Sequence, residues 1–235
     1  MILSNECWLK DRCYKYSQGN NKEVCDSESF CMKLFKLDAL YNMSLLSFDQ
    51  RQHQDLFLDE SRVDENPFTL LKDIQNNIEK FVTDGGNLYI YSSITGNGKT
   101  AWAIRLLQSY FDKIWYKTDL ECKGLFLSVP RYLLAIKDNI ASFNEYAVFV
   151  KDNILNADMV IWDDIGTKAA TSFEHENMLS IIDNRMCYNK CNIFTSNVSP
   201  DELKVLAGDR LYSRIINYST CLKFNGCDKR GVIIK

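Results

Sequence analysis

The sequence predicts an α/β fold in which a five-stranded parallel sheet is covered by helices on both faces. Segments rich in β-formers alternate with segments of helical periodicity from about residue 68 to residue 224. The segment 158–162, DMVIW, is almost entirely apolar, as a strand buried on both faces of a parallel sheet should be.

The predicted elements can be placed in order along the chain. A helix over 70–82 ends at the Gly85-Gly86 turn, and Pro130 fits the first turn of the helix that follows the second strand. The strands are predicted at 87–92, 124–129, 158–162, 192–196 and 220–224. The later helices are predicted at 100–110, 131–140, 145–155, 173–188, 200–205 and 208–216.

Composition limits the class of protein. The chain has 235 residues, of which 46% are hydrophobic and 25% charged, ordinary values for a globular protein. The formal net charge of -3 argues against coating nucleic acid by charge alone, although it leaves room for a local basic groove. No apolar run approaches the ~20 residues of a membrane helix, and the N-terminus lacks the pattern of a signal peptide. We therefore expect a cytoplasmic protein with no membrane partner.

Three segments are expected along the chain: a cysteine-rich head at 1–45, a linker at 46–67 and the α/β domain at 68–235. The linker is polar and acidic with little periodicity. The head ends in a stretch with apolar side chains at helical spacing. These side chains are Leu34, Leu37, Leu40, Tyr41 and Leu45.

Four of the nine cysteines lie in the head with symmetric spacing, Cys7-x5-Cys13 and Cys25-x5-Cys31. Four thiolates form a closed tetrahedral zinc site, and so short a head has too little core to fold unaided. The alternative is four ordinary reduced cysteines, because the gaps are wider than the roughly two to four residues usual in zinc sites. The other cysteines are expected to be core or surface thiols: Cys122, Cys187, Cys191, Cys221 and Cys227.

A phosphate-binding loop is predicted at 93–100, SITGNGKT, between the first strand and the next helix. Glycines let successive backbone N–H groups point at phosphate oxygens, and the helix N-terminus adds its positive dipole end. Lys99 is expected at the β- and γ-phosphates, and the Thr100 hydroxyl is expected at Mg²⁺. The nucleotide-binding residues predicted are Ser93, Thr95, Gly96, Asn97, Gly98, Lys99, Thr100 and Asp163.

A second, acidic site is predicted at 160–166, VIWDDIG, where an apolar strand delivers Asp163 and Asp164 to its carboxyl end. Asp163 is expected to hold Mg²⁺, directly or through water. Asp164 is expected to orient and deprotonate an attacking water. The alternative is a pair of solvated acids at a strand end. The phosphate loop upstream favours the catalytic roles over this alternative.

Two further groups narrow the class of nucleotide-binding protein. Asn197 follows the fourth strand, where it either holds the catalytic water and senses the γ-phosphate or simply forms an Asn-Val-Ser-Pro turn. Arg210 and Arg214 lie on one helix face in GDRLYSRI. They are either a solvated basic face or the source of an arginine finger, which stabilises γ-phosphate charge in a neighbouring subunit.

The ordered set GNGKT, VIWDDIG, FTSN and GDRLYSRI resembles that of AAA+ ATPases, specifically the DnaC/DnaI-type replicative helicase loaders, over about residues 68–224. The resemblance implies an AAA+ P-loop NTPase core, with Asn197 as sensor 1 and Arg214 as the arginine finger. Arg210 and Arg185 are weaker trans-acting candidates. The resemblance also implies ATP and Mg²⁺ as cofactors, ring or spiral self-association, and a replicative helicase and single-stranded DNA as partners.

The sequence departs from the family pattern at several places. Ser93 replaces the usual first glycine of the loop, and Asp164 replaces the Glu common in AAA+ proteins, so slow hydrolysis is expected. The chain ends soon after the fifth strand, which predicts no C-terminal lid domain and leaves open whether Lys229 or Arg230 acts as sensor 2. The cysteine head resembles, in general terms, the N-terminal zinc-binding docking module of some helicase loaders.

Single-strand binding needs cations and planar groups, and the segment after the second strand offers Arg131, Tyr132, Lys137 and Phe143. Helical periodicity favours instead a buried stripe, so the aromatic side chains are expected in the core. Arg131 and Lys137 stay candidates for contact with single-stranded DNA. The stripe would consist of Tyr132, Leu133, Ile136 and Ile140.

The leading hypothesis is an ATP-dependent loader that delivers the replicative hexameric helicase onto single-stranded DNA at replication initiation, with slow, assembly-dependent hydrolysis. The alternatives are a transposition-helper AAA+ ATPase that assembles on DNA, a small-molecule or nucleotide kinase, and a switch that binds ATP without hydrolysing it. The cysteine head speaks against the transposition helper, and a kinase needs a substrate lid. Small size and the expected lack of a lid are compatible with a virus-encoded loader in a bacterial cell.

Overall fold

The computed structural model describes residues 28–52, 62–167 and 171–229, with the side chains of residues 28–31, 52 and 62 outside this description. The strands are β1 Asn87–Tyr91, β2 Gly124–Ser128, β3 Met159–Asp163, β4 Cys191–Ser196 and β5 Thr220–Lys223. The helices are α1 Glu28–Met43, α2 Phe48–Gln52, α3 Glu65–Asn76, α4 Ile78–Thr83, α5 Lys99–Ile114, α6 Val129–Ala141, α7 Glu145–Asn153, α8 Ser172–Cys187 and α9 Pro200–Ile216. Short 3₁₀ turns cover Arg62–Asp64 and Trp115–Lys117.

The five strands form one parallel sheet in the order β2-β3-β4-β1-β5. Each strand end lies within one residue of its predicted position, so the predicted five-stranded parallel sheet is confirmed. Because all strands run in the same direction, their carboxyl ends meet along one edge of the sheet. Strand β4 lies between β1 and β3 and brings the segments that follow these two strands together.

Two hydrophobic clusters lie on the two faces of the sheet. Successive side chains of a strand point to opposite faces, so Ile161 of β3 lies in one cluster and Trp162 lies in the other. The first cluster contains residues of α1, α3, α4 and α5, and the second contains residues of α6 to α9. Every position of β3 is buried, which explains its continuous apolar sequence.

The N-terminal helix α1 packs on the first face of the sheet. Leu40 is buried in the same cluster as the sheet residues, and Leu46 joins it after the helix ends. Between them, the Ser44 carbonyl accepts a hydrogen bond from the Phe126 N–H at 2.8 Å, at the outer edge of β2. The described parts of the predicted head and linker therefore lie against the α/β core, while the division at residues 45 and 67 stays a prediction.

The largest difference from the predicted helices lies before β1. The helix predicted at 70–82 begins at Glu65 and is interrupted at Asn77, giving α3 and α4. Pro67 does not prevent the early start, because a residue without an N–H is tolerated in the first helical turn. The prediction of two helices between 200 and 216 is confirmed, because α9 consists of two helical parts that meet at a kink at the non-helical Gly208 (φ 71°, ψ 163°), a conformation that favours glycine. No helix in residues 28–52, 62–167 and 171–229 is long and apolar enough to cross a membrane.

Arg185 of α8 is fully buried, and it joins this helix to the segment 154–157 and to the start of β4. Its guanidinium donates hydrogen bonds to the carbonyl oxygens of Ile154, Ala157 and Cys191, and its Nε donates to Asn192 Oδ1 at 2.7 Å. Burial lowers the pKa of Arg185 to about 10, so the group is still charged at neutral pH. The sequence-based expectation that Arg185 is a trans-acting candidate is wrong, because this side chain cannot reach another subunit.

We expect Arg185→Ala to lower the free energy of unfolding by about 3–5 kcal/mol, because several buried carbonyl oxygens lose their donor at once. Urea denaturation measures the loss. The control is Arg210→Ala on the exposed side of α9, which should change stability by no more than ~0.5 kcal/mol. A loss at Arg185 no larger than that of the control would contradict the structural role.

Candidate nucleotide-binding and hydrolysis site

The loop between β1 and α5 has the backbone of a phosphate-binding loop. Gly96 (φ 71°) and Gly98 (φ 99°) adopt left-handed conformations that residues with a Cβ rarely adopt. Gly98 is the N-cap of α5, so the helix begins at Lys99 and its unpaired N-terminal N–H groups lie at the end of the loop. Ser93 and Thr95 are exposed on the loop.

Polar side chains brace this loop from within. Lys99 is buried, and its Nζ donates to the Ile94 carbonyl at 2.9 Å and to Asn97 Oδ1 at 3.3 Å. Asn97 in turn donates from Nδ2 to Ser92 Oγ at 2.8 Å. Sequence reasoning assigned no role to Ser92, because a serine at a strand end is also an ordinary turn residue.

The end of β3 lies directly beside the loop. Asp163 Oδ1 accepts a hydrogen bond from the Thr100 hydroxyl at 2.8 Å and another from the Thr195 hydroxyl at 2.7 Å. Asp163 is 8% exposed, and its burial raises the pKa of the carboxyl group to about 6 although both hydroxyls stabilise the charged form. The structure therefore brings together the two residues that the sequence assigns to Mg²⁺.

The donor set at this point suits Mg²⁺. A threonine hydroxyl and a carboxylate are hard oxygen ligands, and Mg²⁺ usually takes one or two carboxylates together with phosphates and water. Among the described residues there is no group of three or more His, Cys, Asp or Glu side chains that could hold a metal ion. An ion bound here would take its remaining ligands from phosphate oxygens and water.

Asp164 and Asn197 form a second pair at the same edge of the sheet. Asp164 adopts a left-handed conformation (φ 59°), and its N–H donates to Thr195 Oγ1 at 3.1 Å. Asn197 Nδ2 donates to Asp164 Oδ1 at 3.1 Å. Thr195 therefore contacts both acids. Sequence reasoning gave Thr195 no role, since threonine is a common strand residue.

The turn after these acids packs against α9. Gly166 (φ 79°) lies so close to this helix that an added Cβ would be 2.9 Å from Leu203 Cδ1. The Ser196 hydroxyl donates to the Ile165 carbonyl at 2.7 Å and fixes the same turn to the end of β4. The position of Asp164 is therefore set by both the sheet and α9.

The arginines proposed to act in trans have different surroundings. Arg214 forms an ion pair with Asp183 of α8, with Nε and Oδ1 2.6 Å apart and both side chains about half-exposed. Arg210 lies one turn earlier and is exposed. Neither residue is buried, so both stay candidates for contact with a neighbouring subunit.

No family model matches the chain. The replicative helicase loader DnaI of Bacillus subtilis (strain 168) is 25% identical over 160 residues, which are 62% of this chain and 48% of that protein. The alignment thus spans about half the length of this curated relative.

Several solved structures share the fold. The DnaC helicase loader has a TM-score of 0.60 at 19% identity, covering 74% of this chain and 99% of that chain. DnaI has a TM-score of 0.58 at 18% identity, covering 79% and 95%. This chain is similar to the DnaC/DnaI-type AAA+ helicase loaders. AMPPCP-bound DnaA from Aquifex aeolicus has a TM-score of 0.52 at 18% identity, covering 70% of this chain and 47% of that chain. These likenesses confirm the predicted AAA+ P-loop fold.

The DNA-contact candidates of the α/β domain are divided by burial. Tyr132 is buried and donates its hydroxyl to Asn177 Oδ1 at 2.9 Å, as expected for a core residue. Phe143 is 75% exposed and Ile140 is also exposed, so the expectation that both are buried is wrong. The helical stripe ends before them because α6 extends past the edge of the second cluster.

The two cationic candidates have intramolecular contacts. The Arg131 guanidinium lies over the Tyr146 ring at 4.6 Å, and Lys137 Nζ lies 2.9 Å from Glu174 Oε1. Both residues stay candidates for contact with DNA.

The cysteines after the head are free thiols, as predicted. Cys122 and Cys191 are buried, while Cys187, Cys221 and Cys227 are exposed. Burial raises the pKa of Cys122 to about 11 and that of Cys191 to about 12, so these two thiols are unreactive near neutral pH. Cys7, Cys13 and Cys25 and the Cys31 side chain lie outside the described residues, and the zinc site stays a prediction.

We expect Thr195→Val to lower the free energy of unfolding by about 1–3 kcal/mol, because valine keeps the shape of threonine but removes a donor from the buried Asp163 carboxylate and an acceptor from the Asp164 N–H. Thr195→Ser is the matched control, because it keeps the hydroxyl and should lose less stability. Urea denaturation measures both variants. Equal losses for the two would show that the hydroxyl does not matter.

Proposed function

We propose that this chain is an ATP-dependent loader that delivers a replicative hexameric DNA helicase onto single-stranded DNA. The observation that carries the proposal is the joining of the phosphate loop to the end of β3 through Thr100 and Asp163, 2.8 Å apart, with Asp164 and Asn197 beside them. Such a pairing of loop and acids is what nucleoside triphosphate hydrolysis requires. The similarity to DnaI and DnaC supports a helicase as the partner.

The proposed binding step uses the loop and its lysine. The N–H groups of the loop and the N-terminus of α5 bind phosphate oxygens, and the Lys99 ammonium binds the β- and γ-phosphates. In the ATP complex Lys99 exchanges its bonds to Ile94 and Asn97 for bonds to phosphate. Thr100 and Asp163 would hold Mg²⁺, which neutralises charge that develops on the phosphate oxygens.

The proposed hydrolytic step uses the pair of Asp164 and Asn197. The water oxygen attacks the γ-phosphorus while the bond from this phosphorus to the β–γ bridging oxygen breaks and ADP leaves. Asp164 accepts a proton from this water, and Asn197 orients the Asp164 carboxylate through the hydrogen bond of 3.1 Å. The aspartate is one methylene shorter than the glutamate common at this position, which favours slow turnover. A neighbouring subunit contributes Arg214 to the γ-phosphate, so hydrolysis depends on self-association.

The same proposal assigns the remaining parts of the chain. Residues 1–45, with a zinc ion on Cys7, Cys13, Cys25 and Cys31, dock the helicase. Single-stranded DNA is the substrate onto which the helicase is delivered. DnaA, a neighbour in fold, has a solved structure with AMPPCP and single-stranded DNA, which supports this choice of nucleic acid.

We expect Lys99→Ala to abolish ATP binding and Arg214→Ala to abolish hydrolysis while ATP binding persists, because the two residues serve different subunits' sites. Mixing the two inactive variants should restore part of the hydrolysis. A site between an Arg214→Ala subunit, whose loop is intact, and a Lys99→Ala subunit, whose arginine is intact, is complete. Isothermal calorimetry measures binding, and phosphate release measures turnover.

Each variant alone serves as the control for the mixture. Restoration that is greatest when the two variants are present in similar amounts supports action in trans. A mixture no more active than the separate variants would show that Arg214 does not complete a neighbour's site, and full ATP affinity in Lys99→Ala would refute the phosphate loop.

The loader function is tested by capture of the host replicative helicase with the full chain and with a chain that lacks residues 1–27. The cut is placed before α1, because Leu40 is part of the core and its removal would destabilise the ATPase domain. We expect the full chain to bind the helicase and to contain about one zinc ion, and the shortened chain to lose both properties. Failure of the full chain to bind a helicase, with DNA-dependent assembly retained, would favour a transposition helper.

A further inference from the structure

The segment 224–229, called here the C-terminal strap, runs from the end of β5 to the phosphate loop. Its first residue, Phe224, is buried and donates its N–H to the Tyr91 carbonyl at the end of β1, at 2.8 Å. Its last described residue, Lys229, donates its N–H to the Gly96 carbonyl at 2.9 Å. The strap therefore connects the carboxyl end of β1 to the phosphate loop.

A buried carboxylate fixes the middle of the strap. Asp64 is 1% exposed and accepts hydrogen bonds from the N–H groups of Asn225 at 2.6 Å and Gly226 at 2.8 Å. Burying a carboxylate is costly unless its oxygens are hydrogen-bonded, and bonds to an ionised acceptor are stronger than neutral ones. The position of Asp64 just before α3 thus determines where the strap lies.

Aromatic packing joins the strap to the helix that follows the phosphate loop. The Phe68 ring lies 5.2 Å from that of Phe224 and 5.5 Å from that of Trp102, which is three residues after Lys99 in α5. The Lys229 ammonium lies over the same Phe68 ring at 5.6 Å. The strap, the start of α3 and the phosphate-loop helix therefore share one contact.

The bond to Gly96 bears on the orientation of a single peptide group. The described backbone contains no cis peptide bonds, so the Gly96 carbonyl and the Asn97 N–H point to opposite sides of one planar peptide. While Lys229 holds the carbonyl, the Asn97 N–H is directed away from the strap. Gly96, with φ 71°, has no Cβ to restrict a rotation of this peptide, so the strap supplies the restriction.

We propose that the C-terminal strap positions the phosphate loop, with the Lys229 N–H as the group that orients the Gly96–Asn97 peptide and Asp64 as the residue that holds the strap. A peptide already oriented before ATP binds does not have to be ordered on binding, and affinity is correspondingly higher. This proposal rests on the proposed function, because it takes ATP to be the ligand of the loop.

The test compares Lys229→Pro with Lys229→Ala in the full chain. Proline has no N–H and loses the bond to Gly96, whereas alanine keeps it and loses only the side chain. Isothermal calorimetry with Mg-ATP should show about five- to tenfold weaker binding by Lys229→Pro, the equivalent of one hydrogen bond. Lys229→Ala, which loses the contact with Phe68 but keeps the N–H, should bind Mg-ATP at least about fivefold more tightly than Lys229→Pro.

A second pair of variants tests the anchor. Asp64→Asn keeps the shape of the side chain but places an amide donor against a backbone N–H, while Glu65→Gln makes the same chemical change at an exposed neighbour. We expect Asp64→Asn to weaken Mg-ATP binding about fivefold or more and Glu65→Gln to leave it unchanged. All four variants are compared where circular dichroism shows them to be fully folded.

Hydrogen exchange in the absence of nucleotide separates positioning from general destabilisation. We expect faster exchange of the loop amides 94–98 in Lys229→Pro and Asp64→Asn, with unchanged exchange in β3 and β4. Either variant matching its control in affinity, or faster exchange throughout the sheet, overturns the proposal. Failure of the proposed function looks different, since the wild-type chain itself would then not bind Mg-ATP.

Discussion

The buried carboxylate of Asp163 is the constraint on which the rest of the site depends. It is 8% exposed, and one of its oxygens accepts hydrogen bonds from two hydroxyls that belong to different elements, Thr100 of α5 and Thr195 of β4. A carboxylate in such a place is tolerated because donors compensate for lost hydration. Both donors reach one oxygen only if β3, β4 and the loop after β1 end at the same level, which the strand register provides.

The two ends of the described chain support this arrangement from outside. Near the N-terminal side, α1 covers one face of the sheet, and the Ser44 carbonyl pairs with the edge strand β2. On the C-terminal side, the strap crosses from β5 to the phosphate loop and is held by Asp64. Segments that look like appendages in the sequence thus pack against the sheet or the loop that carry the candidate site.

Arginines show how burial decides the role of a residue type. Arg185 and Arg214 are both near helix C-termini and both lie close to acidic or polar residues in sequence. Arg185 is enclosed by backbone carbonyl groups and stabilises the core, while Arg214 is half-exposed beside Asp183 and is available at the surface. Helical periodicity does not distinguish them, because α8 and α9 each combine buried and exposed positions.

The sequence by itself determined the parallel sheet, because apolar strands that alternate with helices have few other ways to be buried. It also determined the phosphate loop and the acids of β3, because glycines and carboxylates at this spacing have few other uses. Tertiary structure alone decided the contacts of Thr195, Arg185, Asp64 and the strap, and the exposure of Phe143. These depend on contacts between residues distant in sequence: Asp64 meets Gly226 only because the folded sheet brings the start of α3 next to the segment after β5. Local pattern carries no information about such pairings, because each partner taken alone is an ordinary turn, strand or surface residue.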